Sequence, residues 1–218
     1  MLWSRRLDWC AHKNDPLLAE SRIVRDVLRE LRFRDGQRVI GLVAATGREQ
    51  LLRWTGGRAF VSQAIPLPFV VDKMSPIIVY PPDPETMMKT FEAIGGAIGV
   101  ENLREYQAAS VGSALKAVAG GIQETSVRWL LENGMEPAAA RAYLSGLTYG
   151  IAAAALASPG IPLDDVGRHY STVGGINEQC YAVFRDRGGV AALEAAMDAV
   201  LERVRATPTE STLDGGAP

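Results

Sequence analysis

The sequence predicts an α/β domain followed by an all-α domain, and two observations carry that prediction. Over the first 100 residues, short apolar runs bounded by turn residues alternate with helical periodicity, which is typical of a layered fold with a mostly parallel sheet. From about residue 103 the strand-like runs stop and only helical patterns follow. We therefore predict an irregular leader over 1–15, an α/β domain over 16–100, an all-helical domain over 101–206 and a disordered tail over 207–218.

The α/β part is predicted to begin with a helix at Pro16, because Asn14-Asp15-Pro16 combines a capping side chain with proline in the first turn. The continuous apolar run 39–44 favours a strand buried on both faces. Thr46 is placed to cap the short helix that follows, which carries Leu51, Leu52 and Trp54.

Two more strands are predicted at 59–65 and 76–80, each followed by proline. Asp83-Pro84 repeats the cap-plus-proline signal and opens a helix that runs through Ile94. In the second half, helical patterns cover 103–133, 137–157, about 163–170, and two segments that flank Gly188-Gly189.

Composition excludes several classes of protein. Lys and Arg number 23 against 25 Asp and Glu, so a chain of net charge −2 lacks the basic surface expected of a nucleic-acid-binding protein. Two cysteines, Cys10 and Cys180, are too few for a disulfide framework and indicate a reducing compartment. The first six residues contain no long apolar segment typical of a signal peptide. We expect a cytoplasmic protein.

One segment leaves a membrane alternative open. The 22 residues between Arg141 and Asp164 carry no formal charge, and about 20 apolar residues are enough to span a bilayer. The segment is rich in Ala and Gly, however, and Ser158-Pro159-Gly160 interrupts it near its end. We interpret it as a helix packed among other helices and expect no membrane span.

Few residues in the sequence are typical of catalytic or metal-binding sites. Cys10 and His12 could share a metal ion, but no second pair completes a site, so we interpret them as two residues of the irregular leader and expect no metal. His169 is a candidate general acid or a partly buried residue at a helix end. Glu124 lies in a stretch of small and apolar residues, where a carboxylate either binds a cationic group or forms a solvated helix edge.

The most informative segment is Ser171-Thr172-Val173-Gly174-Gly175-Ile176-Asn177. Two glycines that open a helix leave backbone N–H groups at its N-terminus, where an anion can bind. Ser171, Thr172 and Asn177 add neutral polar groups that can orient a carboxylate. On spacing alone, an ordinary helix cap with a glycine turn explains the segment equally well.

These features resemble the pyrroline-5-carboxylate reductase family over about residues 16–206. The hallmark Thr-Ser-Pro-Gly-Gly-x-Thr of that family is similar to residues 171–177, and its Met-Pro-Asn-Thr-Pro is similar to residues 65–69. Residues 38–45 look like its Val-Ile-Ser-x-x-Ala-Gly strand, and Glu124 falls where members carry an Ile-Glu-Ala helix segment. The departures are Leu67 in place of Asn, Val173 in place of Pro, Asn177 in place of Thr, and no Gly-x-Gly-x-x-Gly.

The resemblance implies a partial Rossmann-type parallel sheet domain, a helical dimerisation domain, and hydride transfer from NADPH or NADH to a cyclic imino acid, as in proline biosynthesis. It implies cofactor contacts at Ala44, Pro66 and Leu67. It also implies a substrate site over Ser171–Asn177, in which Asn177 contacts the ring nitrogen and Glu124 lines the active site. A homodimer or higher homo-oligomer is expected. The alternative is an inactive or truncated relative that acts as a helical dimer or binding module.

Overall fold

The computed structural model describes residues 16–43, 46–83 and 87–206, with backbone alone at 16–20 and 169. The chain folds into two compact units. One unit contains the described residues up to Ser113 together with those from Ala199 onwards, and the other is Ala114–Asp198. The order of elements, an α/β part followed by helices alone, confirms the fold class predicted from the sequence.

The α/β part contains four strands and three α-helices within the described ranges. In chain order these are α1 (Pro16–Glu30), β1 (Arg38–Gly41), α2 (Arg48–Trp54), β2 (Phe60–Ile65), a 3₁₀ helix (Pro68–Asp72), β3 (Ile77–Tyr80), α3 (Met87–Glu92) and β4 (Ala97–Gly99). The helical part comprises α4 (Leu103–Glu132), α5 (Pro137–Ala157), α6 (Leu163–His169), α7 (Ile176–Asp186) and α8 (Gly189–Arg205). The predictions at Asn14-Asp15, at 84–86 and in the tail after 206 lie outside the described residues.

The sheet is mixed, with two parallel pairings, as expected for the predicted mostly parallel sheet, and one antiparallel pairing that was not predicted. Its order is β1-β2-β3-β4, with β1 parallel to β2, β3 antiparallel to β2, and β4 parallel to β3. The physical reason is the connection between β2 and β3, since residues 66–76 contain only the short 3₁₀ helix. A parallel return requires a crossover of about a dozen or more residues, usually an α-helix. The three-residue strand β4 is too short to produce a recognisable sequence pattern.

The strand buried on both faces is β2 rather than β1. Val61, Ser62, Gln63 and Ala64 are all buried in succession, because β2 has a neighbouring strand on each side. By contrast β1 ends at Gly41 and lies at the edge of the sheet. Its side chains are exposed or half-buried, so the prediction of a fully buried strand over 39–44 was wrong for the described residues.

Two hydrophobic clusters hold the sheet unit together. Val61 packs with Leu51 and Trp54 of α2, and α1 adds apolar side chains to the same cluster. Ala64 is three residues from Val61, so it faces the opposite side of the sheet. There it packs with Ile77, Val79 and Phe91. The sheet therefore has helices against both faces, as is typical of layered α/β folds.

Thr46, which precedes α2, contacts α1 instead of capping α2, and this corrects the sequence prediction. Its hydroxyl lies 2.9 Å from the hydroxyl of Ser21 in α1, and both residues are buried. The residue before α2 is Gly47, whose N–H donates to the Gln50 side-chain oxygen at 3.0 Å. Glycine has no side chain to cap with, so the Gln50 amide supplies the oxygen that satisfies the free N–H group.

The helical unit has almost no core of its own. Among the residues of 114–198 whose side chains are described, only Ala140 and Val166 are buried. Large apolar side chains lie exposed on single helix faces at spacings of about three to four residues or their multiples: Val118, Ile122 and Trp129 on α4, and Tyr143, Leu147 and Ile151 on α5. Within the described part of the chain, no helix combines the length and apolarity needed to cross a membrane, and α5 is included in that finding.

Tyr106 should make the sheet unit less stable at alkaline pH. Its side chain is 6% exposed and its ring centroid lies 5.7 Å from that of Tyr80. Burial raises the pKa of Tyr106 from 10.0 to about 12. An unfolded chain loses this proton near pH 10, whereas the native state keeps it until about pH 12.

Between these values the native state binds more protons than the unfolded state. The free energy of unfolding should therefore fall as pH rises from about 10 to 12, by up to about 2.7 kcal/mol, and Tyr106 should contribute no pH dependence below that range. Urea unfolding at about pH 9 and pH 11 measures it. In Tyr106→Phe the free energy of unfolding should fall less between pH 9 and pH 11, because the phenolic proton is absent. An equal fall in the native chain and in the variant would contradict the role of Tyr106.

Candidate functional site

The carboxyl ends of β1 and β2 lie at the same edge of the sheet, because the two strands are parallel. Since β3 is antiparallel to β2, the amino ends of β3 and β4 lie at this edge too. We call it the carboxyl edge. In open α/β sheets, ligands bind in the crevice outside the carboxyl ends of the strands. We therefore expect a ligand to bind beside the segments that follow β1 and β2.

Two of the three predicted cofactor residues lie at the carboxyl edge. Pro66 and Leu67 follow β2 directly and are half-buried. Leu67 precedes the 3₁₀ helix, and its carbonyl accepts a hydrogen bond from the Val70 N–H at 3.0 Å. Ala44, the third, lies outside the described residues. The edge thus presents a short turn after β2 with two apolar side chains.

Gln63 is a residue near this edge that sequence reasoning missed: it is the fourth residue of β2 and pairs with Gly41, the last residue of β1. Its side-chain Nε2 donates to the carbonyl oxygen of Thr46 at 2.6 Å, while its Oε1 is buried and has no hydrogen-bond partner. The hydroxyl of Ser75, two residues before β3, is likewise buried and unpartnered. The polar pair Ser62-Gln63 inside an otherwise apolar run was the available signal, but burial on both faces of β2 became evident only from the sheet.

The glycine pair opens α7 as predicted, and each glycine has a backbone reason. Gly174 has φ 71°, a conformation that costs little only for glycine. At Gly175 a Cβ would lie 2.7 Å from the carbonyl oxygen of Thr172. The first intrahelical hydrogen bond runs from the Gln179 N–H to the Gly175 carbonyl at 3.2 Å. The N–H groups of residues 176–178 therefore precede the helical bonding pattern.

Polar side chains order this turn. The Ser171 hydroxyl donates to the Gly167 carbonyl at 3.0 Å, and the Asn177 Nδ2 lies 3.4 Å from the Ser171 oxygen. Thr172 is exposed, and Val173 and Ile176 are 92% and 82% exposed. Ser171 and Asn177 are thus brought together, and two apolar side chains project beside them.

Glu178 places a carboxylate on the same turn. Its Oε2 accepts a hydrogen bond from the Gly174 N–H at 2.8 Å. A negative charge at a helix N-terminus is stabilised by the helix dipole, so the chain supplies an anion of its own here. An anionic ligand of this turn has to share it with Glu178 or displace it from Gly174.

The other candidate residues from the sequence are Glu124, His169, Cys10 and His12. Glu124 is exposed on α4, and its carboxylate forms no hydrogen bond or ion pair with another described residue. The neighbouring Gln123 does link α4 to α5, by donating to the Thr148 hydroxyl at 2.9 Å. His169 is the last residue of α6. Cys10 and His12 lie outside the described residues, and the described ones contain no cluster of metal-binding side chains.

No protein-family model matches the chain, and no curated protein sequence does. Solved structures do match. A pyrroline-5-carboxylate reductase from Coxiella burnetii superposes with a TM-score of 0.71 at 16% identity, covering 88% of this chain and 72% of that one.

Two further reductases are similar. Pyrroline carboxylate reductase from Plasmodium falciparum, with NADP bound, has a TM-score of 0.67 at 14% identity over 78% of this chain and 70% of that one. The 1-pyrroline-5-carboxylate reductase of Streptococcus pyogenes has a TM-score of 0.68 at 14% identity, with 84% and 71% covered. The chain therefore has a fold like that of pyrroline-5-carboxylate reductases.

Proposed function

We propose that the chain is an NADPH- or NADH-dependent reductase of cyclic imino acids, of the pyrroline-5-carboxylate reductase type. The observation that carries the proposal is the fold, which matches such a reductase over 88% of the chain. The ordered turn before α7 supports it, since this turn carries the residues similar to the family hallmark. We also propose a cytoplasmic location, consistent with the exposed free thiol of Cys180.

The carboxyl edge fits a nicotinamide dinucleotide in one testable respect. The unpartnered Gln63 Oε1 is a buried acceptor at the edge where such folds bind ligands, and a dinucleotide offers N–H donors. Pro66 and Leu67 would contact it, with Ala44 as a further candidate. When bound, the dinucleotide supplies the hydride, and the protein binds and orients both partners.

The turn before α7 is the proposed substrate site. A protonated cyclic imine is already electrophilic, so its reduction requires orientation rather than an acid–base pair. The free N–H groups of residues 176–178 would bind the substrate carboxylate. Asn177 would contact the ring nitrogen through its amide oxygen, with its Nδ2 held by Ser171. Glu124 remains a proposed active-site residue.

A homodimer or larger homo-oligomer is part of the proposal. The helical unit buries only two described side chains and exposes two apolar stripes, and exposed apolar surface of this extent marks an interaction site. A second copy of the chain, burying the same stripes, would supply the missing core.

One observation favours the alternative, an inactive relative that acts as a helical dimer or binding module. The Glu178 carboxylate accepts the Gly174 N–H, which competes with a substrate carboxylate at the same turn. The two functions differ in cofactor binding, because the inactive module requires none.

The test begins with titration of NADPH, and then NADH, into the purified chain, followed by nicotinamide fluorescence or the fluorescence of the four Trp residues. Saturable binding and turnover of pyrroline-5-carboxylate are expected. Asn177→Leu should lower kcat/KM by about 10- to 100-fold, as expected for loss of a hydrogen bond to a charged group. Gln179→Leu, at an exposed position on the same helix, is the matched control. Cofactor binding without turnover would favour a different substrate, and no binding at millimolar cofactor would favour the inactive module.

A further inference from the structure

Gln63 carries an unusual combination of burial and unused hydrogen-bonding capacity. Its side chain is 3% exposed, and its Oε1 has no partner. Buried polar atoms in native proteins are nearly all hydrogen-bonded, so each exception requires a reason, such as an ion, a water or a ligand. Gln63 Oε1 and Ser75 Oγ are the two such side-chain atoms in the described part of the chain. Gln63 pairs with Gly41 at the carboxyl end of β1, and Ser75 precedes β3 at the same edge.

The orientation of the Gln63 amide follows from its neighbour. The Thr46 carbonyl oxygen lies 2.6 Å from Nε2, and a carbonyl can accept only from the NH₂ end of the amide. Turning the amide over would place two oxygens against each other. The free acceptor is therefore Oε1, on the amide whose Nε2 is bound to the Thr46 carbonyl.

The surroundings restrict what can reach this acceptor. Gln63 shares its face of β2 with Val61, which belongs to the apolar cluster around Leu51 and Trp54. A phosphate group would be poorly solvated here, whereas the edge of a planar ring substituent with an N–H donor is suited to the site. A nicotinamide dinucleotide has two such groups, the carboxamide of nicotinamide and the amine of adenine.

We propose that Gln63 is a cofactor-binding residue whose Oε1 accepts a hydrogen bond from an N–H group of the bound dinucleotide. The inference rests on the proposed function and adds to it a residue that the family resemblance does not supply. Thr46, anchored to α1 through Ser21, holds the amide in its binding orientation and acts as a positioning residue.

The test measures dissociation constants rather than turnover. NADPH is compared with its 3-acetylpyridine analogue, which lacks the carboxamide N–H, and with its hypoxanthine analogue, which lacks the adenine amine. One of the two analogues should bind the native chain about tenfold more weakly than NADPH. Gln63→Met, which has similar volume and only a weakly accepting thioether, should weaken NADPH binding about tenfold and abolish that discrimination.

Ser62→Ala is the matched control, because it removes a buried hydrogen bond from the opposite face of the same strand, the 2.7 Å bond to the Pro81 carbonyl. Its stability should fall while its cofactor discrimination stays unchanged. If Gln63→Met removes the preference for NADPH over one analogue, the N–H group missing from that analogue is the donor to Gln63. Cofactor binding with ratios unaltered by Gln63→Met would overturn this inference alone, and failure of the native chain to bind any dinucleotide would overturn the proposed function and this inference with it.

Discussion

Replacement of Ile77 by alanine is expected to lower the free energy of unfolding of the sheet unit by about 3 to 4 kcal/mol. Ile77 is fully buried in β3, where it packs with Ala64, Val79 and Phe91 between the sheet and α3. Truncation removes three carbon atoms from this cluster and leaves a cavity. Few single substitutions elsewhere in the described residues should cost as much.

Urea unfolding, followed by the fluorescence of the buried Trp54 in the same unit, measures this change. Ile98→Ala is the matched control, since Ile98 is 47% exposed on the neighbouring strand β4. The control should cost about 1 kcal/mol, well below the cost of Ile77→Ala, because about half of the Ile98 side chain is already exposed to water. Equal losses in the two variants would show that the cluster around Ile77 is not the core of this unit.

Replacement of Leu147 by glutamate is expected to dissociate the proposed dimer. Leu147 is 47% exposed in the middle of the apolar stripe on α5, between Tyr143 and Ile151. If a second copy covers this stripe, the substitution buries an unpaired carboxylate, which costs several kcal/mol. We expect the dimer dissociation constant to rise by more than about 100-fold.

Sedimentation velocity over a range of protein concentrations measures the change. Val71→Glu introduces the same charge at an exposed apolar residue of the 3₁₀ helix, and this control should assemble like the native chain. A native chain that is monomeric throughout would contradict the dimer proposal. A Leu147→Glu variant that assembles normally would place the interface away from the α5 stripe.

Local signals in the sequence predicted most of the helices correctly. The helix predicted over 137–157 is α5, whose start is capped by the Glu136 carboxylate, which accepts from the Ala139 N–H at 3.0 Å. Gly174-Gly175 predicted the start of α7 equally well. Such signals are reliable because a helix start depends on hydrogen bonds between residues three or four apart. The candidate substrate turn could therefore be located from sequence, although its binding role stays a prediction.

The direction and the edges of the sheet could not be predicted in the same way. Whether β3 runs antiparallel to β2, and whether β1 lies at the sheet edge, depends on pairing between segments that are separated along the chain. An apolar run such as 39–44 carries no information about how many neighbours it acquires.

The fold class, the positions of the helices and the glycine turn that opens α7 follow from the amino-acid sequence alone, because each depends on apolar periodicity or on contacts within one helical turn. The folded structure was needed to show that Thr46 pairs with Ser21, 25 residues away, and that Gln63 binds the Thr46 carbonyl across 17 residues. It also decided which polar atoms at the carboxyl edge stay without a partner. The physical reason is that burial and side-chain pairing arise from distant segments brought together by packing, and their separation in the sequence leaves no periodic pattern.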